Sequence, residues 1–470
     1  MAFSSAPHEY NARSSLSLPF KVDIGLVVDD VLDTSILREK YAQLVQLWPL
    51  LGGRVLSQFD ARRFQFGSNV DFESRTKTGK VASVLPFTWT GETQPEILSG
   101  DLASIDTEFF FNAPLASTAT STVRVTSLDD ATLLGFRFVH SLCDGQSAYE
   151  IIKYFCELLS GRPIPGFSLP PDTLGARISD LVQQGTKESS APSQLERSIF
   201  VTSKLRALQL HGRYLLLRVQ ELLSLSPKLT YRLIYLPGAW VDQLHRRAQK
   251  ELDREYSSNH PDSKIQLTRN DIITAFYLKT VYGKRIAHNS DSPVDYVGPI
   301  NYRGFIEPPA AGTYHIHNSI ILFPCRLSEG GLQTHSITAI AARIRLATIQ
   351  YRQPAAIKHE IRLFEDKVLA PAMQDLRGGT KWGTAMVSPW TTFDFTSLDF
   401  SGASRQGRKA SVVFVNPNVP LVFGDYPSPM GITLKDGKGG YWLRGANTQR
   451  GWESFNHRAR MNSLFPPGDP

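Results

Sequence analysis

The chain has 470 residues, of which 41% are hydrophobic and 20% charged, and its formal net charge is +7. This composition is typical of a water-soluble globular protein, and the length favours two domains. No segment approaches ~18 consecutive apolar residues, which excludes an ordinary membrane-spanning helix, and the basic residues are too scattered for a nucleic-acid-binding face.

The cysteines and the N-terminus favour a cytoplasmic protein. Only three cysteines occur, with no C-x-x-C pair, which argues against a disulfide framework and fits a reducing compartment. The N-terminal residues MAFSSAPHEYNARSS lack the basic and then apolar pattern of a secretory signal. We therefore expect a protein without secretory export.

The first part of the chain alternates strand and helix patterns. Residues 19–30 predict a strand. Residues 33–55 predict a helix that is capped by Asp33 or Thr34 and carries its apolar residues on one face. Residues 54–67 predict a hairpin.

The segment 131–161, ATLLGFRFVHSLCDGQSAYEIIKYFCELLSG, has the most distinctive pattern. Residues 134–139 alternate with period two, which predicts a strand with one buried face, and His140 continues the parity of that face. Asp144-Gly145 predicts a turn, after which apolar residues recur at helical spacing. A histidine at a strand end beside a tight turn is placed as a general base would be. The alternative is a buried histidine bonded to a backbone carbonyl.

The composition of the chain then becomes more polar. Residues 183–198 are polar and predict an exposed connection, and 195–224 predicts a helix. We therefore predict a first domain over 1–185, a crossover linker over 186–228 and a second domain over 229–470.

The second part again mixes strands and helices. Thr268-x-x-Asp271 resembles a capping box, which predicts a helix over 267–283, and a further helix is predicted over 338–352. Strand patterns occupy residues 229–237, 294–309 with a polar loop, 318–327, 385–403, 410–418 and 431–445. This order predicts an α/β protein whose two layered halves meet at a cleft.

Several chemistries lack their motifs. The sequence has no G-x-S-x-G elbow and no glycine-rich phosphate loop of the Walker or dinucleotide type. His315 and His317 have the H-x-H spacing of a metal-binding strand. No acidic or cysteine third ligand lies close by in sequence, so we predict no metal site.

Taken together, six segments resemble the BAHD acyltransferase family, a member of the HxxxD acyltransferase superfamily, in the divergent form of fungal secondary-metabolite enzymes. They appear in family order across residues 47 to 403. The segments are LWPLLGGRV (47–55), HSLCDG (140–145), TRNDIITAF (268–276), INYRG (300–304), YHIHN (314–318) and VSPWTTFDFTSLDFSGA (387–403). Two features depart from the family pattern. The family's DFGWG is reduced to DFSGA at 399–403, and its N-terminal LS.LD is replaced by SSLSLPF.

The resemblance implies a fold and a reaction. The fold would be the two-domain chloramphenicol-acetyltransferase-like α/β fold, with a mixed sheet and flanking helices in each half and an active-site channel between them. The reaction would transfer an acyl group, with acetyl the leading candidate, from acyl-coenzyme A to a hydroxyl or amine of a secondary metabolite. Acyl-coenzyme A would be a co-substrate, with no tightly bound cofactor. Because the two halves can mimic a dimer within one chain, we predict a monomer.

The resemblance also implies roles for individual residues. His140 would be the general base, with Asp144 pairing with Arg303 to support the loop and Gly145 allowing the turn. Ser388 and Trp390 would stand near the thioester carbonyl, and Asp399 would stabilise a hinge. The remaining candidates, for the coenzyme A phosphates, are Thr268 and Arg269 at a helix start.

Alternatives remain open. Asp144 could instead polarise His140 as a dyad, and Ser388 and Trp390 could be an ordinary strand serine and core tryptophan. The same fold could also catalyse a carrier-protein-dependent condensation or a coenzyme-A-independent cyclisation or rearrangement, or act as a non-catalytic binding protein. Condensation domains usually have two adjacent histidines, whereas Val139 precedes His140 here.

Overall fold

The structure is a computed structural model of the full chain. It describes residues 9–11, 21–56, 63–85, 93–98, 102–111, 117–168, 180, 182, 219, 229–257, 265–282, 294–306, 311–316, 318–327, 332, 335–366, 383–419, 431–460 and 464–465. Apart from residue 219, the predicted helix at 195–224 and the predicted linker at 186–228 lie outside these residues.

Strands and helices alternate along the described residues. The strands are β1 Glu9–Asn11, β2 Lys21–Val28, β3 Arg54–Val55, β4 Arg63–Gln65, β5 Phe72–Thr76, β6 Glu96–Ile97, β7 Ser121–Ser127, β8 Thr132–Val139, β9 Gly166–Ser168, β10 Leu229–Leu236, β11 Val294–Asn301, β12 Thr313–His315, β13 Ile320–Leu327, β14 Gly383–Pro389, β15 Val412–Asn418, β16 Gly431–Lys435 and β17 Tyr441–Thr448. The helices are α1 Thr34–Leu47, α2 Val81–Val84, α3 Leu102–Ile105, α4 Gly145–Leu159, α5 Gly238–Ser257, α6 Arg269–Tyr277, α7 Ile337–Tyr351, α8 Pro354–Asp366, α9 Gln449–Glu453 and α10 Phe455–Arg458.

The first large sheet has five strands among the described residues, in the order β15-β2-β8-β7-β5. Strand β8 is central and pairs antiparallel with β2 and β7, whereas β5 pairs parallel with β7, so the sheet is mixed. Lys21 lies opposite Val139, which places His140 directly beyond the end of the central strand.

The second large sheet has seven strands in the described part of the chain, in the order β13-β11-β14-β16-β17-β10-β6. The pairs β11–β14 and β14–β16 are parallel and the others are antiparallel. The prediction of two mixed sheets with flanking helices is therefore confirmed.

Each sheet takes one strand from the other end of the chain. β15 completes the first sheet beside β2, and β6 extends the second sheet beside β10. The first core likewise includes Trp390, Phe400 and Phe414. The two sheets are thus interlocked, and the domain bounds 1–185, 186–228 and 229–470 stay a prediction.

The central strand corrects one expectation. Residues 132–139 are buried throughout, rather than on one face alone. Helix α4 covers one face, where Phe155 packs edge-on against Phe136 at 6.0 Å. The π-helical turn Asp106–Phe110 covers the other face, where the carbonyl of Phe110 would lie 1.9 Å from a Cβ at position 135. In the sequence, Gly135 fits the polar side of the alternating pattern. In the structure, its missing side chain leaves the room that the π-helical turn needs to pack on this face of the strand.

Capping residues and glycines in the sequence mark the ends of the predicted helices. Asp33 caps α1 by accepting from the backbone N–H groups of Ser35 and Ile36. α4 ends before Gly161, whose φ of +71° is readily adopted by glycine. The expectation of strand structure through 385–403 is wrong beyond Pro389, because Phe395–Ser397 and Ser401–Ala403 form 3₁₀ turns there. In the described part of the chain, the helices are all too short or too polar to cross a bilayer.

Candidate active site

The site is built where β8 ends and α4 begins. Val139 is the last strand residue, and its carbonyl accepts from the N–H groups of Leu142 and Cys143 to form the turn. Asp144 caps the helix by accepting from the N–H of Ser147 at 2.9 Å. The predicted strand, turn and helix are therefore confirmed, and His140 sits at the start of the turn.

His140 is almost completely enclosed, with 8% of its surface exposed. The amide Nδ2 of Asn318 donates to the backbone carbonyl of His140 at 2.9 Å and lies 3.3 Å from its Nδ1. Burial lowers the pKa of His140, while a hydrogen bond to its own carbonyl and the charge of Asp144 act in the opposite direction. The imidazole is therefore neutral near pH 7, the state that a general base needs.

Asp144 points its carboxylate at Arg303. The two form a bidentate pair, with Nη1 to Oδ2 at 2.8 Å and Nη2 to Oδ1 at 2.9 Å. The N–H of Ser319 also donates to Oδ2 at 2.9 Å. Although burial acts to raise the pKa of Asp144, the Arg303 charge and these hydrogen bonds outweigh it and lower that pKa. The carboxylate is thus held charged beside the guanidinium of Arg303.

Trp390 lies against the beginning of α4, and Ser388 is its hydrogen-bond partner. A Cβ at Gly145 would come within 2.8 Å of Cε2 of Trp390, so the indole ring rests on the glycine. The constraint at Gly145 is therefore space, rather than an unusual backbone angle. Nε1 of Trp390 donates to Oγ of Ser388 at 3.0 Å. Because Oγ accepts this bond, the hydroxyl hydrogen of Ser388 remains available as a donor.

Asp399 lies at the other end of α4. It accepts from the N–H of Ser401 at 2.9 Å and caps the 3₁₀ turn there. A Cβ at Gly402 would lie 2.0 Å from the carbonyl of Leu159, which packs this turn on the helix C-terminus. α4 has 15 residues, so Asp399 and His140 are separated by a helix about 22 Å long.

Thr268 and Arg269 form the start of α6. The predicted capping box is present, since Thr268 and Asp271 exchange side-chain-to-backbone hydrogen bonds. Arg269 pairs with Asp242 at 2.6 Å, with 55% of its side chain exposed. A further contact, from Thr391 Oγ1 to Oδ1 of Asn270 at 2.8 Å, ties this helix start to the segment after Trp390.

Asn318 and Ser319 contact the site but were not among the predicted residues. Asn318 is the last residue of the YHIHN segment, so the signal was present in the sequence. Its role was hidden because the contact spans 178 positions along the chain.

Metal-ligating side chains do not converge in the part of the chain that the structure describes: groups of three or more His, Cys, Asp or Glu are absent there. His317 lies outside the described residues. The three cysteines, Cys143, Cys156 and Cys325, are buried and not disulfide-bonded.

The fold is similar to those of solved acyltransferases. TRI101 of F. sporotrichioides, complexed with coenzyme A and T-2, matches with a TM-score of 0.61 and 13% identity over 95% of this chain and 96% of that one. Vinorine synthase matches with a TM-score of 0.61 and 12% identity over 99% and 93%. No protein-family model matches the sequence.

The sequence is also similar to curated proteins. It is 38% identical to the acetyltransferase peniE of Penicillium patulum over 97% of this chain and 99% of that protein. The chain belongs to the BAHD acyltransferase family. The acetyltransferase adrJ of Penicillium roqueforti is more distant, at 21% identity over 92% and 90%.

The predicted family, fold class and enzyme class are therefore confirmed for this BAHD acyltransferase. The reduced DFSGA segment folds as a turn on the end of α4, far from the histidine, so loss of the family tryptophan leaves the His140 turn intact.

Proposed function

We propose that this enzyme transfers an acetyl group from acetyl-coenzyme A to a hydroxyl or amine of a fungal secondary metabolite, with His140 as the general base. The observation that carries the proposal is the environment of His140, a buried neutral imidazole whose neighbouring aspartate is engaged by Arg303. The acetyltransferase relative supports the acyl group, and the TRI101 complexes with coenzyme A and T-2 or deoxynivalenol support coenzyme A as the acyl carrier and a small molecule as the acceptor.

The chemistry divides into two steps. His140 takes the proton of the acceptor O–H or N–H as the acceptor atom forms a bond to the thioester carbonyl carbon. The tetrahedral oxyanion then collapses, the carbon–sulfur bond breaks, and the imidazolium returns the proton to the coenzyme A sulfur. Nothing is oxidised or reduced, and the histidine ends neutral.

Ser388 supplies a donor for the oxyanion in this proposal. Its oxygen accepts from Trp390 Nε1 at 3.0 Å, which directs the hydroxyl hydrogen away from the indole. An oxyanion donor of this type typically accelerates acyl transfer ~10²–10³-fold. Asp144, Gly145 and Arg303 support the turn that carries the base.

Arg269 and Thr268 are our candidates for the coenzyme A phosphates. Arg269 is half exposed and lies in the first turn of α6, where the helix dipole favours an anion. The single hydroxyl hydrogen of Thr268 is already engaged with Asp271. Arg269 pairs with Asp242 through Nε, but a guanidinium has further N–H donors, so Arg269 is the stronger of the two. Asp399 acts in this scheme only as a support for α4.

We also propose that the enzyme is a cytoplasmic monomer. Three buried cysteines that are not disulfide-bonded fit a reducing compartment. Each sheet is completed by strands of the same chain, so a second copy is not required to complete either sheet. The domain bounds 1–185, 186–228 and 229–470 belong to this proposal.

The test is mass spectrometry of the purified enzyme incubated with acetyl-coenzyme A and a panel of hydroxylated fungal-type metabolites. We expect an acceptor to gain the mass of one acetyl group, with the gain lost in His140→Ala. The matched control is His245→Ala, because His245 Nε2 also contacts a backbone carbonyl, that of Leu267 at 2.8 Å. A metabolite that isomerises in a His140-dependent way without gaining acetyl would overturn acyl transfer.

A further inference from the structure

Lys21 is a buried cation at the beginning of β2, close to His140. It lies directly opposite Val139, the residue that precedes His140. Opposite residues in an antiparallel pair have Cα atoms ~4.5–5.5 Å apart and consecutive residues ~3.8 Å apart, so the Cα atoms of Lys21 and His140 lie within ~10 Å. The flexible four-carbon side chain of a lysine covers a distance of this order. Lys21 is therefore close enough to contact a small molecule that is bound at His140.

Lys21 faces the second sheet. Side chains alternate along a strand and opposite residues share a face, so Lys21 lies on the same face as Asp23 and Arg137, which are opposite each other in β2 and β8. The π-helical turn packs on this face, and its Asp106 accepts from Arg444 of the second sheet at 2.9 Å. Lys21 is thus on the side of the first sheet where the two halves meet, which is where the resemblance implies an active-site channel.

The Lys21 ammonium has few partners for a buried charge. Lys21 is 4% exposed, and its Nζ donates to the backbone carbonyl of Ser117 at 2.9 Å. Among the residues that the structure describes, this is its one hydrogen bond, and no carboxylate forms an ion pair with it. An ammonium group has three N–H donors, and buried charges in proteins are usually paired. Lys21 therefore lacks a counter-charge of its own in the described part of the chain.

The neighbouring carboxylates already have arginine partners. Asp23 accepts from Nε and Nη2 of Arg137 at 2.8 and 2.7 Å, and Asp106 accepts from Arg444. Because each carboxylate is paired with one guanidinium, Lys21 is the excess positive charge of this cluster. Burial raises the pKa of Asp23 despite the charge of Arg137, and any proton that Asp23 took up would only increase the excess.

The surroundings of Lys21 disfavour its charged form. Burial lowers the pKa of Lys21 to about 8, the charge of Arg137 acts in the same direction, and the charge of Asp23 opposes both. An anion beside Nζ would offset this penalty. A carboxylate matches an excess of one positive charge, whereas a phosphate monoester carries about −1.5 to −2. Our candidates for the coenzyme A phosphates lie elsewhere, at the start of α6.

We propose that Lys21 binds a carboxylate of the acceptor, so that the enzyme selects molecules that carry an acid group in addition to the hydroxyl or amine that is acetylated. Lys21 is a specificity-determining residue in this role and takes no part in proton transfer. The inference rests on the proposed function, in which the acceptor binds at His140.

The first test needs no ligand. Lys21→Met keeps a side chain of similar length but removes a buried charge that has no counter-charge. We therefore expect the midpoint of thermal unfolding to rise by about 1–4 °C, because the free enzyme no longer buries an unpaired ammonium. A lower midpoint in Lys21→Met would show that the bond to the Ser117 carbonyl is structural, and it would overturn the inference.

The second test uses benzoate and its uncharged counterpart benzamide as probes, at equal ionic strength. We expect benzoate to raise the midpoint of thermal unfolding of the wild-type enzyme more than benzamide does, and this difference to disappear in Lys21→Met. An equal response of the wild-type enzyme to the two probes would overturn the inference. A benzoate effect that persists in Lys21→Met would assign the anion to another cation and overturn it as well.

Lys279→Met is the matched control for the second test. Nζ of Lys279 also donates to backbone carbonyls, those of Leu332 and His335, and burial lowers the pKa of Lys279 too, but this lysine packs in the second half of the chain. We expect the control to keep the difference between benzoate and benzamide. Loss of the difference in both variants would indicate a general effect of removing a lysine and count against Lys21.

The third test uses the acceptors found by mass spectrometry. We expect the acetylated molecules to carry a carboxylate, and their methyl esters to have kcat/KM lower by about 10- to 100-fold, the contribution of a charge-assisted hydrogen bond. Lys21→Met should remove this preference for the acid. Equal kcat/KM for acid and ester in the wild-type enzyme would overturn the inference and leave the proposed function standing. If benzoate binds through Lys21 but no molecule is ever acetylated, the proposed function fails and the carboxylate site stands.

Discussion

Asp144 and Arg303 form a bidentate ion pair at 2.8 and 2.9 Å. The pair joins the N-cap residue of α4 to a residue that lies two positions beyond the end of β11. The Asp144 side chain is 3% exposed and that of Arg303 20%. Because both carboxylate oxygens are occupied by Arg303 and by backbone N–H groups, this aspartate is a structural anchor for the turn in our interpretation, and His140 acts without a dyad.

Removing one partner of this pair should destabilise the enzyme. We expect Asp144→Asn to lower the free energy of unfolding by about 3 kcal/mol, because the guanidinium is left buried without its counter-charge. Displacement of His140 should also lower kcat about 10²-fold. Denaturant unfolding and steady-state kinetics measure the two effects.

Arg303→Ala distinguishes an anchor from a dyad. If Asp144 anchors the turn, Arg303→Ala should lower kcat as much as Asp144→Asn, and the double variant should be no slower than either. A dyad predicts instead that Asp144→Asn is far slower than Arg303→Ala.

The pH profile should reflect the buried histidine. Burial lowers the pKa of His140 below its ordinary value, so the imidazole stays neutral as the pH falls through ~6.5. Since the base must be neutral, we expect the acid limb of kcat/KM to have its midpoint below that pH and activity to be lost only at more acidic values. A midpoint above pH ~6.5 would contradict the assignment of His140 as a desolvated base.

Local sequence signals predicted the elements better than their partners. The caps at Asp33 and Thr268 and the strand-turn-helix at His140 were predictable because each depends on neighbours in sequence. The exchange of β6 and β15 was not, because strand pairing depends on contacts hundreds of residues apart.

The site was only partly predictable for the same reason. The Asp144–Arg303 pair came from family resemblance, whereas no local pattern indicated that Asn318 reaches the carbonyl of His140. The sequence predicts strand after Trp390 because the aromatic residues there have high β-propensity. In the structure several of these rings pack on α4 instead, as Phe393 does on Tyr149 of that helix at 5.8 Å.

Gly145→Ala tests the contact between α4 and Trp390. The new Cβ would lie 2.8 Å from the indole, so the ring must move, and we expect a loss of about 1–3 kcal/mol in stability together with slower acyl transfer. The control is Gly166→Ala, whose Cβ would meet its nearest neighbour at an ordinary 3.7 Å. Thermal unfolding and kcat are measured for both variants. Equal behaviour of the two would show that Trp390 does not depend on this glycine.

Ser388→Ala tests the oxyanion donor. We expect kcat to fall ~10²–10³-fold, because the hydroxyl would stabilise the tetrahedral intermediate more than the bound thioester, with KM for acetyl-coenzyme A little changed. Ser388→Thr keeps the hydroxyl and should retain most of the activity. If Ser388→Ala is as fast as the wild type, the serine is an ordinary strand residue and the oxyanion is stabilised by another donor.

A buried network should hold the interlocked sheets together. Arg444 of β17 donates from Nη2 to Oδ2 of Asp106 at 2.9 Å and from Nη1 to Oδ1 of Asn416 in β15 at 2.8 Å, while the Asn416 amide donates to Asp106. The Arg444 side chain is 2% exposed. Each of the three residues comes from a different region of the chain, so the network joins the first sheet to the second.

We expect Asp106→Ala to lower the free energy of unfolding by about 3–5 kcal/mol, because it leaves the Arg444 charge buried and unpaired. The comparison is Asp180→Ala, which breaks the exposed pair of Asp180 with Arg362 at 3.4 Å and should cost less than about 1 kcal/mol. Denaturant unfolding of both variants decides the matter. If both variants lose a similarly small free energy of unfolding, the buried charges stabilise the protein no more than an exposed pair does. Apolar packing alone would then hold the two sheets together.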